Sequence, residues 1–460
     1  MTLVDMNLPR PLNMILDVII QSGGRPILVG GCIRDHILGL SVKDFDIEVF
    51  SMESSSKLLT ILQQFGIVNE VGQHFSVLKM YMDDYEFDFS LPRRDSKIGV
   101  GHKAFIVSVD PEMTFKDASY RRDFTINSMG FDIKENKFLD PYGGLVDLDS
   151  KILRHVSDAF IEDPLRVLRG VQFLARFKLS IASETKTLFS QVNISSLPSE
   201  RIFEEFKKLL LKASNPSLGF QLMRKCDILD NFPELQTLIG VPQNEKWHPE
   251  GDVWDHTLLV VDEMSKLLTG HGEEDLILML AALCHDFGKP LSTTFQERRW
   301  RSIGHSELGV FPTQCFLYRL TSQKKIINIV TLLVKEHLLP GLLYQADKTT
   351  GVSDGAIRRL CLRVPVNLLL KLAKADHFGR TTKDAINKSF VSGDWLHDRI
   401  KKLDLVDKRP IPLLKGRHLL ELGVKPGPKM GDILKNAYDL QLDGELNTLD
   451  ELRDWVKKNV

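Results

Sequence analysis

The sequence predicts an α+β protein in which a small N-terminal sheet domain precedes a long all-helical remainder. Short strand-like apolar runs separated by Gly and Asp cluster before residue 150, and helix-spaced apolar stripes fill the rest. At 460 residues the chain exceeds a single core, and about three domains are expected. The pattern places the sheet domain at 1–150, a helical region at 151–245, a histidine-rich helical domain at 246–385 and a helical tail at 386–460.

Residues 11–22 read as a helix packed beside the first strand. The organising stretch follows: a buried strand around Ile27-Leu28-Val29, a Gly30-Gly31 turn, a helix with Arg34 and Asp35 in its first turn, and a strand through Asp44-Phe45-Asp46-Ile47-Glu48. Asp44 and Asp46 are two apart, so on a strand they share one face. The glycines let a phosphate approach the backbone, with helix amides aimed at it. A divalent cation on paired carboxylates, facing a phosphate cradle, is equipment for moving a nucleotidyl group. Gly-Gly alone is an ordinary turn and Asp-x-Asp alone a solvated edge. Both within one strand–helix–strand unit, with Arg34 between them, favour the chemical reading.

A helix near 53–65 comes next, then strands near 66–71, 76–82 and 85–90, the last two joined at Asp83-Asp84. Asp88 is either a third carboxylate or a solvated alternate position. Residues 91–116 show no periodicity and carry Arg93, Arg94, Lys97, His102 and Lys103, which reads as a long basic loop. The run from Tyr120 to Met129 is expected to start a helix, with Arg121 and Arg122 at its dipole-disfavoured end. That misfit points to an anion such as a triphosphate, or to a surface pair bridged to Asp117 and Asp123.

Asp163 reads as a helix N-cap and Pro164 as the first helical residue. Arg166, three later, shares the Asp163 face. A carboxylate beside a guanidinium offers the acceptors and donors needed to read a base edge, and Arg169 could reach phosphate or RNA. Phe173, Leu174 and Phe177 supply a core stripe, and the helix through Glu200-Arg201-Ile202 a scaffold.

From Trp247 histidines concentrate. His285-Asp286 ends a wholly apolar helix, 276–284, and precedes a helix stop at Phe287-Gly288-Lys289-Pro290. Burying an imidazole and a carboxylate there is costly unless they bind something. With His256, His305, His337 and Asp376 they offer enough groups for two Zn, Fe, Ni, Mn or Mg ions. His271, His377 and His397 are expected at the surface or behind the ligands. In the tail, Lys401-Lys402, Lys408-Arg409, Lys415 and Arg417 beside a Pro/Gly turn suit either an RNA backbone or a solvated face.

A net charge of −1 excludes coating nucleic acid by bulk electrostatics, though not a local basic face. Five scattered cysteines suit a reducing compartment. Asp5 and Asp17 interrupt any signal-like run, and 276–284 is too short to span a bilayer, so a cytoplasmic protein with no membrane partner is expected. The oligomeric state is not legible.

Together these motifs resemble the bacterial tRNA nucleotidyltransferases of the class II, poly(A)-polymerase-like family that carry a C-terminal HD domain. The resemblance rests on Gly30-Gly31-x-x-Arg34-Asp35, Asp44-x-Asp46, Arg121-Arg122-Asp123-Phe124-Thr125-Ile126-Asn127, Asp140-Pro141-x-Gly143-Gly144, Glu162-Asp163-Pro164-x-Arg166-x-x-Arg169 and Glu200-Arg201-Ile202. It implies a nucleotidyltransferase-type sheet head, a helical neck and body, an HD domain and a helical tail. It further implies addition of CCA, or part of it, to the tRNA 3′ end from CTP and ATP. By the resemblance Asp44 and Asp46 hold catalytic Mg²⁺, and Gly31 and Arg34 contact the triphosphate. Arg122 and Asp123 hold phosphate and ribose, Asp163 and Arg166 select the base, Arg169 supports the nucleotide, and 91–116 is the segment that moves between C and A addition. In HD phosphohydrolases the metal pattern maps onto His256, His285, Asp286 and Asp376, with His305 and His337 where two-metal members add ligands. The metal there is a transition metal or Mg²⁺. Relatives commonly have Ala and Arg where this chain has Gly170 and Gln172, and many carry Arg at Tyr120. Poly(A) polymerase, CC-only or A-only addition, and hydrolysis as the main activity stay open alternatives.

Overall fold

Why the head forms a sheet is visible in its alternation. The computed structural model describes residues 7–71, 77–97, 105–406 and 410–459. These divide into two compact units, Met1–Leu197 with Lys225–Ile228 and Pro198–Arg224 with Leu229–Val460. In the first, helix α1 (Arg10–Gln21) buries Leu12, Ile15, Leu16 and Ile19, a single i, i+3, i+4, i+7 face. Each such side chain contributes on the order of 2 kcal/mol. Strand β1 (Arg25–Val29) leads through Gly30 into α2 (Gly31–Ile37), then β2 (Asp44–Phe50) and α3 (Ser55–Leu62). The Ser54 hydroxyl caps α3 by accepting the Lys57 amide.

Strands β3 (Val68–Val71), β4 (Val77–Met82) and β5 (Tyr85–Ser90) follow. A separate antiparallel ribbon, β6 (Arg93–Lys97) and β7 (Phe105–Val109), precedes α4 (Phe115–Tyr120), β8 (Gly130–Asp132), β9 (Lys137–Leu139) and α5 (Gly144–Asp149). The main sheet is mixed, in the order β3-β4-β5-β2-β1-β8-β9, with β2 parallel to β5 and antiparallel to β1. Its centre is thus the strand that carries Asp44 and Asp46.

Two expectations are corrected here. Much of the stretch 91–116 is strand rather than loop, because Arg93 to Lys97 pairs with Phe105 to Val109 despite its polar sequence. His102 and Lys103 lie outside the described residues, as do Lys408 and Arg409. Arg121 and Arg122 do not open a helix. They close α4, where Arg121 is the C-cap, and only a short 3-10 turn, Thr125–Asn127, follows. Cations are favoured at a helix C-terminus, so the argument from misfit fails, and the arginines must be judged by their partners.

Helix α6 (Leu165–Phe177) packs Gly170 against Phe189 and Phe124, within an aromatic cluster that includes Phe160. A Cβ at Gly170 would fall 2.3 Å from Phe189 Cζ and 2.8 Å from Phe124 Cζ. That explains glycine where alanine is usual. Gly170→Ala is expected to destabilise the fold by about 1–3 kcal/mol through overpacking, more than the roughly 1 kcal/mol that alanine returns in helix propensity. A denaturant midpoint at or above that of the parent contradicts this packing.

The second unit is helical. The helix Gly272–Cys284 is buried on all sides from Asp275 to Cys284, the signature of a core helix. One stretch, Lys324–Asp347, is long and apolar enough to cross a membrane, but half of it is buried within the fold.

Candidate functional site

The first site grows from period-two alternation on β2. Phe45, Ile47 and Val49 point inward, leaving Asp44, Asp46 and Glu48 on the other face. Asp46 is the direct cross-strand partner of Asp88 on β5. Asp88 is thereby on the acidic face, where Lys79 Nζ lies 3.2 Å from it. Asp46 is open to water yet crowded. Desolvation pushes its carboxyl up to about 6, with Asp88 and Asp44 adding to the rise and Arg122 and Arg169 opposing it.

Glu48 is buried and receives Arg122 Nη2 at 3.0 Å, with Arg121 Nη2 3.6 Å away. Sequence reasoning gave Glu48 no role, although the Asp-x-Asp-x-Glu alternation could have found it. Gly30 has φ +73, and a Cβ there would come within 3.3 Å of both Arg122 Nη1 and Asp46 Oδ2. A side chain would fill the space between the acidic and basic walls.

Other expected ligands have internal partners. Arg34 is 4% exposed; it binds Asp35 and Asn127 and stacks on Phe177, 4.5 Å from the ring centroid. The buried Asp123 carboxylate accepts from the Phe124 amide at 2.8 Å, Asn127 Nδ2 at 3.0 Å and Arg169 Nε at 2.7 Å. Burial raises its pKa, but Arg169, Asn127 and Phe124 outweigh that and hold it below the usual range. Asp123 therefore fixes Arg169. Asp163 Oδ1 accepts the Leu165 amide at 3.1 Å, but the N-cap of α6 is Pro164 and its first residue Leu165, one position later than the sequence reading placed them. Arg166 donates to the carbonyls of Ala159 and Arg121, the latter at 2.6 Å, so its guanidinium plane is set by the backbone. Gly31 opens α2 beside Gly30. Gln172 is buried, and its Oε1 has no hydrogen-bond donor among the described residues.

The second site brings together all six residues singled out in 246–385. His285 Nε2 lies 3.3 Å from His256 Nε2 and 3.1 Å from Asp286 Oδ2. His305 Nε2 lies 3.4 Å from Asp286 Oδ1 and 3.3 Å from His337 Nε2, while Asp376 Oδ1 is 3.1 Å from His256 Nε2. Asp286 thus sits between two histidine pairs, one per carboxylate oxygen.

Why the rings point inward is set by their far nitrogens. The Nδ1 atoms of His285, His305 and His337 meet the carbonyls of Ala282, Ser302 and Val334 at 2.8, 2.7 and 2.6 Å. A carbonyl can only accept, so each Nδ1 carries a proton and each Nε2 is the atom aimed at the centre. His256 does the same through Glu250, whose Oε1 is 2.8 Å from its Nδ1. Asp286 Oδ2 is buried, with Lys289 Nζ 2.7 Å and His285 Nε2 3.1 Å away. Burial pulls the His337 pKa down to about 3, with His305 and His285 adding, so the ring is neutral and ready to ligate. A buried carboxylate on which several imidazole nitrogens converge fits metal ions. Candidate groups among the described residues are His248–Glu250–His256, His256–His285–Asp286 and Asp286–His305–His337.

Glu250, His248 and Lys289 complete this site and were missed. Lys289 follows Asp286 by one helical turn, a usable signal; Glu250 is a loop residue with no periodicity to betray it. His377 bonds the Ser389 carbonyl at 2.7 Å, and His271 and His397 are exposed, so none joins the cluster.

A carboxylate-bearing mixed sheet followed by helices and a His/Asp cluster defines a nucleotidyltransferase head joined to an HD-type domain. Both domain types are metal-dependent, and the candidate metal-binding groups among the described residues lie in the HD region. Family models match accordingly: the poly(A) polymerase head domain at residues 27–154, the probable RNA- and SrmB-binding site of polymerase A at 180–239, and the HD domain at 253–379. The chain is 35% identical over 397 residues to the multifunctional CCA protein of Psychromonas ingrahamii, covering 84% of this chain and 91% of that one. It is 38% identical over 365 residues to that of Methylobacillus flagellatus, covering 77% and 84%. The chain belongs to the family of multifunctional CCA proteins. Its fold matches the Bacillus stearothermophilus CCA-adding enzyme in complex with CTP (TM-score 0.67, 18% identity, 98% of each chain). It also matches the Thermotoga maritima CCA-adding enzyme complexed with tRNA (TM-score 0.62, 18% identity, 99% of this chain and 97% of that one).

Proposed function

We propose that this chain is a tRNA nucleotidyltransferase that adds CCA to tRNA 3′ ends from CTP and ATP, with a metal-dependent phosphohydrolase in its HD domain. The observation that carries the first activity is the juxtaposition at Gly30, where Asp46 and Arg122 face each other across a gap that no side chain fills. Asp44 and Asp46 would hold Mg²⁺, and Arg122, fixed by Glu48, would bind the triphosphate. Asp163 and Arg166 select the base. The plane that the Ala159 and Arg121 carbonyls impose on Arg166 supports this role, because its remaining N–H groups then have a fixed direction. Asp123 and Arg34 act by positioning Arg169 and Asn127.

In the HD domain His256, His285, Asp286 and Asp376 would hold one ion, and Asp286, His305 and His337 a second. When bound, the ions supply charge neutralisation at the departing pyrophosphate in the head and an activated water beside a phosphate ester in the HD domain. Lys289, paired with Asp286, and Arg380, whose Nη2 lies 3.0 Å from Asp376 Oδ2, line the same cavity and would meet phosphate oxygens there.

Nucleotide-by-nucleotide extension tests the transferase. A tRNA transcript lacking its CCA end is expected to gain two residues with CTP alone and none with ATP alone, while one ending in CC gains a single residue with ATP. ATP laddering on either contradicts it. In the HD domain, 2′,3′-cyclic AMP with added Mn²⁺ is expected to be hydrolysed; an intact ester beside working transfer removes that activity.

Protonation of Asp46 gives a pH signature. Its carboxyl is pushed up to about 6, so a proton competes with the cation as pH falls through 6. The Mg²⁺ concentration for half-maximal transfer is expected to rise about tenfold per pH unit below that point, with kcat at saturating Mg²⁺ changing far less. A requirement flat from pH 5 to 8 contradicts the assignment.

A further inference from the structure

Beside the histidine cluster lies a larger recess whose aromatic and basic walls play no part in holding metal. It measures about 910 Å³ and runs between the segment from Pro242 to Gly251 and a hairpin, Thr293–Gln296 with Arg299–Ser302. Gln243, Asn244, His248 and Trp300 line both this recess and the cavity of about 230 Å³ that contains Asp286, His305, His337 and Asp376. The two spaces therefore adjoin.

The hairpin is rooted at the metal centre. The Ser302 carbonyl receives His305 Nδ1 at 2.7 Å, and Thr293 and Ser302 hydroxyls join the two strands at 2.8 Å. Trp300 is two residues from that root, about 7 Å along a strand. It forms a cross-strand pair with Phe295, ring centroids 5.1 Å apart, yet Phe295 is 59% and Trp300 38% exposed. A soluble hairpin usually hides such a pair or replaces it with polar residues. Trp247, 53% exposed, stands on the wall of the smaller cavity with Lys246 Nζ 5.2 Å from its ring centroid. At the tip, Glu297 and Arg298 both adopt left-handed φ, 49° and 57°, without glycine. This strained turn places Arg298 beside Arg299 on the recess wall. Among the described lining residues Lys246, Arg298 and Arg299 outnumber one acid, Glu245, and Glu297 at the tip lies 3.8 Å from Arg299.

Exposed aromatic faces interleaved with cations, opening directly onto a phosphate-cleaving centre, are a recognition surface for stacked bases and the phosphates between them. We propose that this recess is a nucleoside subsite. It seats the base of the nucleotide whose phosphate ester lies at the HD centre, stacked on Trp300, with Arg298 and Arg299 meeting the phosphate of the next nucleotide inward. The subsite rests on the reading of the HD domain as a phosphohydrolase, and it makes that hydrolase selective for nucleoside phosphate esters over small ones. The ester is either a free nucleotide or the end of an RNA, and the two are told apart by Arg298 and Arg299.

The test uses the full chain with added Mn²⁺ and three substrates: 2′,3′-cyclic AMP, a short RNA ending in a 2′,3′-cyclic phosphate, and glycerol 1,2-cyclic phosphate, which has no base. Trp300→Ala is expected to lower the kcat/KM ratio of 2′,3′-cyclic AMP over glycerol cyclic phosphate roughly tenfold, mostly through KM, and Trp300→Phe to restore most of it. The double change Arg298→Ala with Arg299→Ala is expected to raise KM for the RNA while sparing the mononucleotide; equal effects on both assign the site to free nucleotides. A ratio unmoved by Trp300→Ala, or an equal loss on all three substrates, overturns the subsite and leaves the hydrolase reading standing. If no substrate turns over, calorimetric titration with adenosine 2′-monophosphate decides. Binding that weakens in Trp300→Ala keeps the subsite without the hydrolase, and binding indifferent to Trp300 ends both. Altered self-association of Trp300→Ala with unchanged kinetics identifies a protein-docking hairpin instead, and also overturns the proposal.

Discussion

Replacing Asp46 by Asn is expected to reduce nucleotide addition roughly a thousandfold, because metal-borne charge stabilisation is worth several kcal/mol and each 1.36 kcal/mol is a factor of ten. The fold should not suffer. Asp46 stands beside Asp88 and on the same face as Asp44, and its carboxyl is already pushed up to about 6 by desolvation and these like charges. An amide of the same shape removes repulsion and keeps the strand pairing, so the melting temperature should hold or rise slightly. Hydrolysis of 2′,3′-cyclic AMP should be untouched, since the HD cluster belongs to the other compact unit. Retained addition in this variant would show that the carboxylates of β2 are not the catalytic pair.

Asp286→Asn is expected to have the converse effect, with hydrolysis down roughly a thousandfold and transfer within about twofold of the parent. Asp286 is the one carboxylate that reaches both histidine pairs, through Oδ2 to His285 and Oδ1 to His305. It is also the buried partner of Lys289, 2.7 Å away, and its pKa is held well below the usual range because His285 and Lys289 overcome the burial that raises it. Asparagine leaves that ammonium without its counter-charge, so the metal-free variant should lose about 3–5 kcal/mol of stability. Equilibrium unfolding with a chelator present measures this. Metal content by mass spectrometry should fall as well; full metal occupancy would contradict the bridging placement.

The sequence carried the carboxylates of β2 and the histidine cluster clearly, because both are local patterns. Asp44 and Asp46 declare a shared face by spacing alone, and His285-Asp286 stands out at the end of an apolar helix. What stayed hidden is what only tertiary structure supplies. The partners of Arg166 are backbone carbonyls at Ala159 and Arg121, which have no sequence signature. The stacking of Arg34 on Phe177 depends on α6 crossing near α2. Arg121 and Arg122 were expected to open a helix through Met129; residues Phe124 to Met129 are instead buried in a 3-10 turn and its flanks. Strand β6 was unreadable since Arg-Arg-Asp-Ser-Lys has no apolar alternation, whereas β7, Phe-Ile-Val-Ser-Val, carried a strand signal that went unused. Gly170 is the reverse case. It departs from the family pattern, and the rings of Phe189 and Phe124 give the reason.

The central claim is that one chain builds a defined three-residue end on tRNA at the head. Intact-mass measurement of a tRNA transcript lacking CCA, incubated with CTP, ATP and Mg²⁺, tests it most directly. The expected product is heavier by two cytidylates and one adenylate and grows no further, while an unstructured RNA of equal length stays unextended. A ladder of adenylates on both RNAs, or no gain in mass, would contradict it.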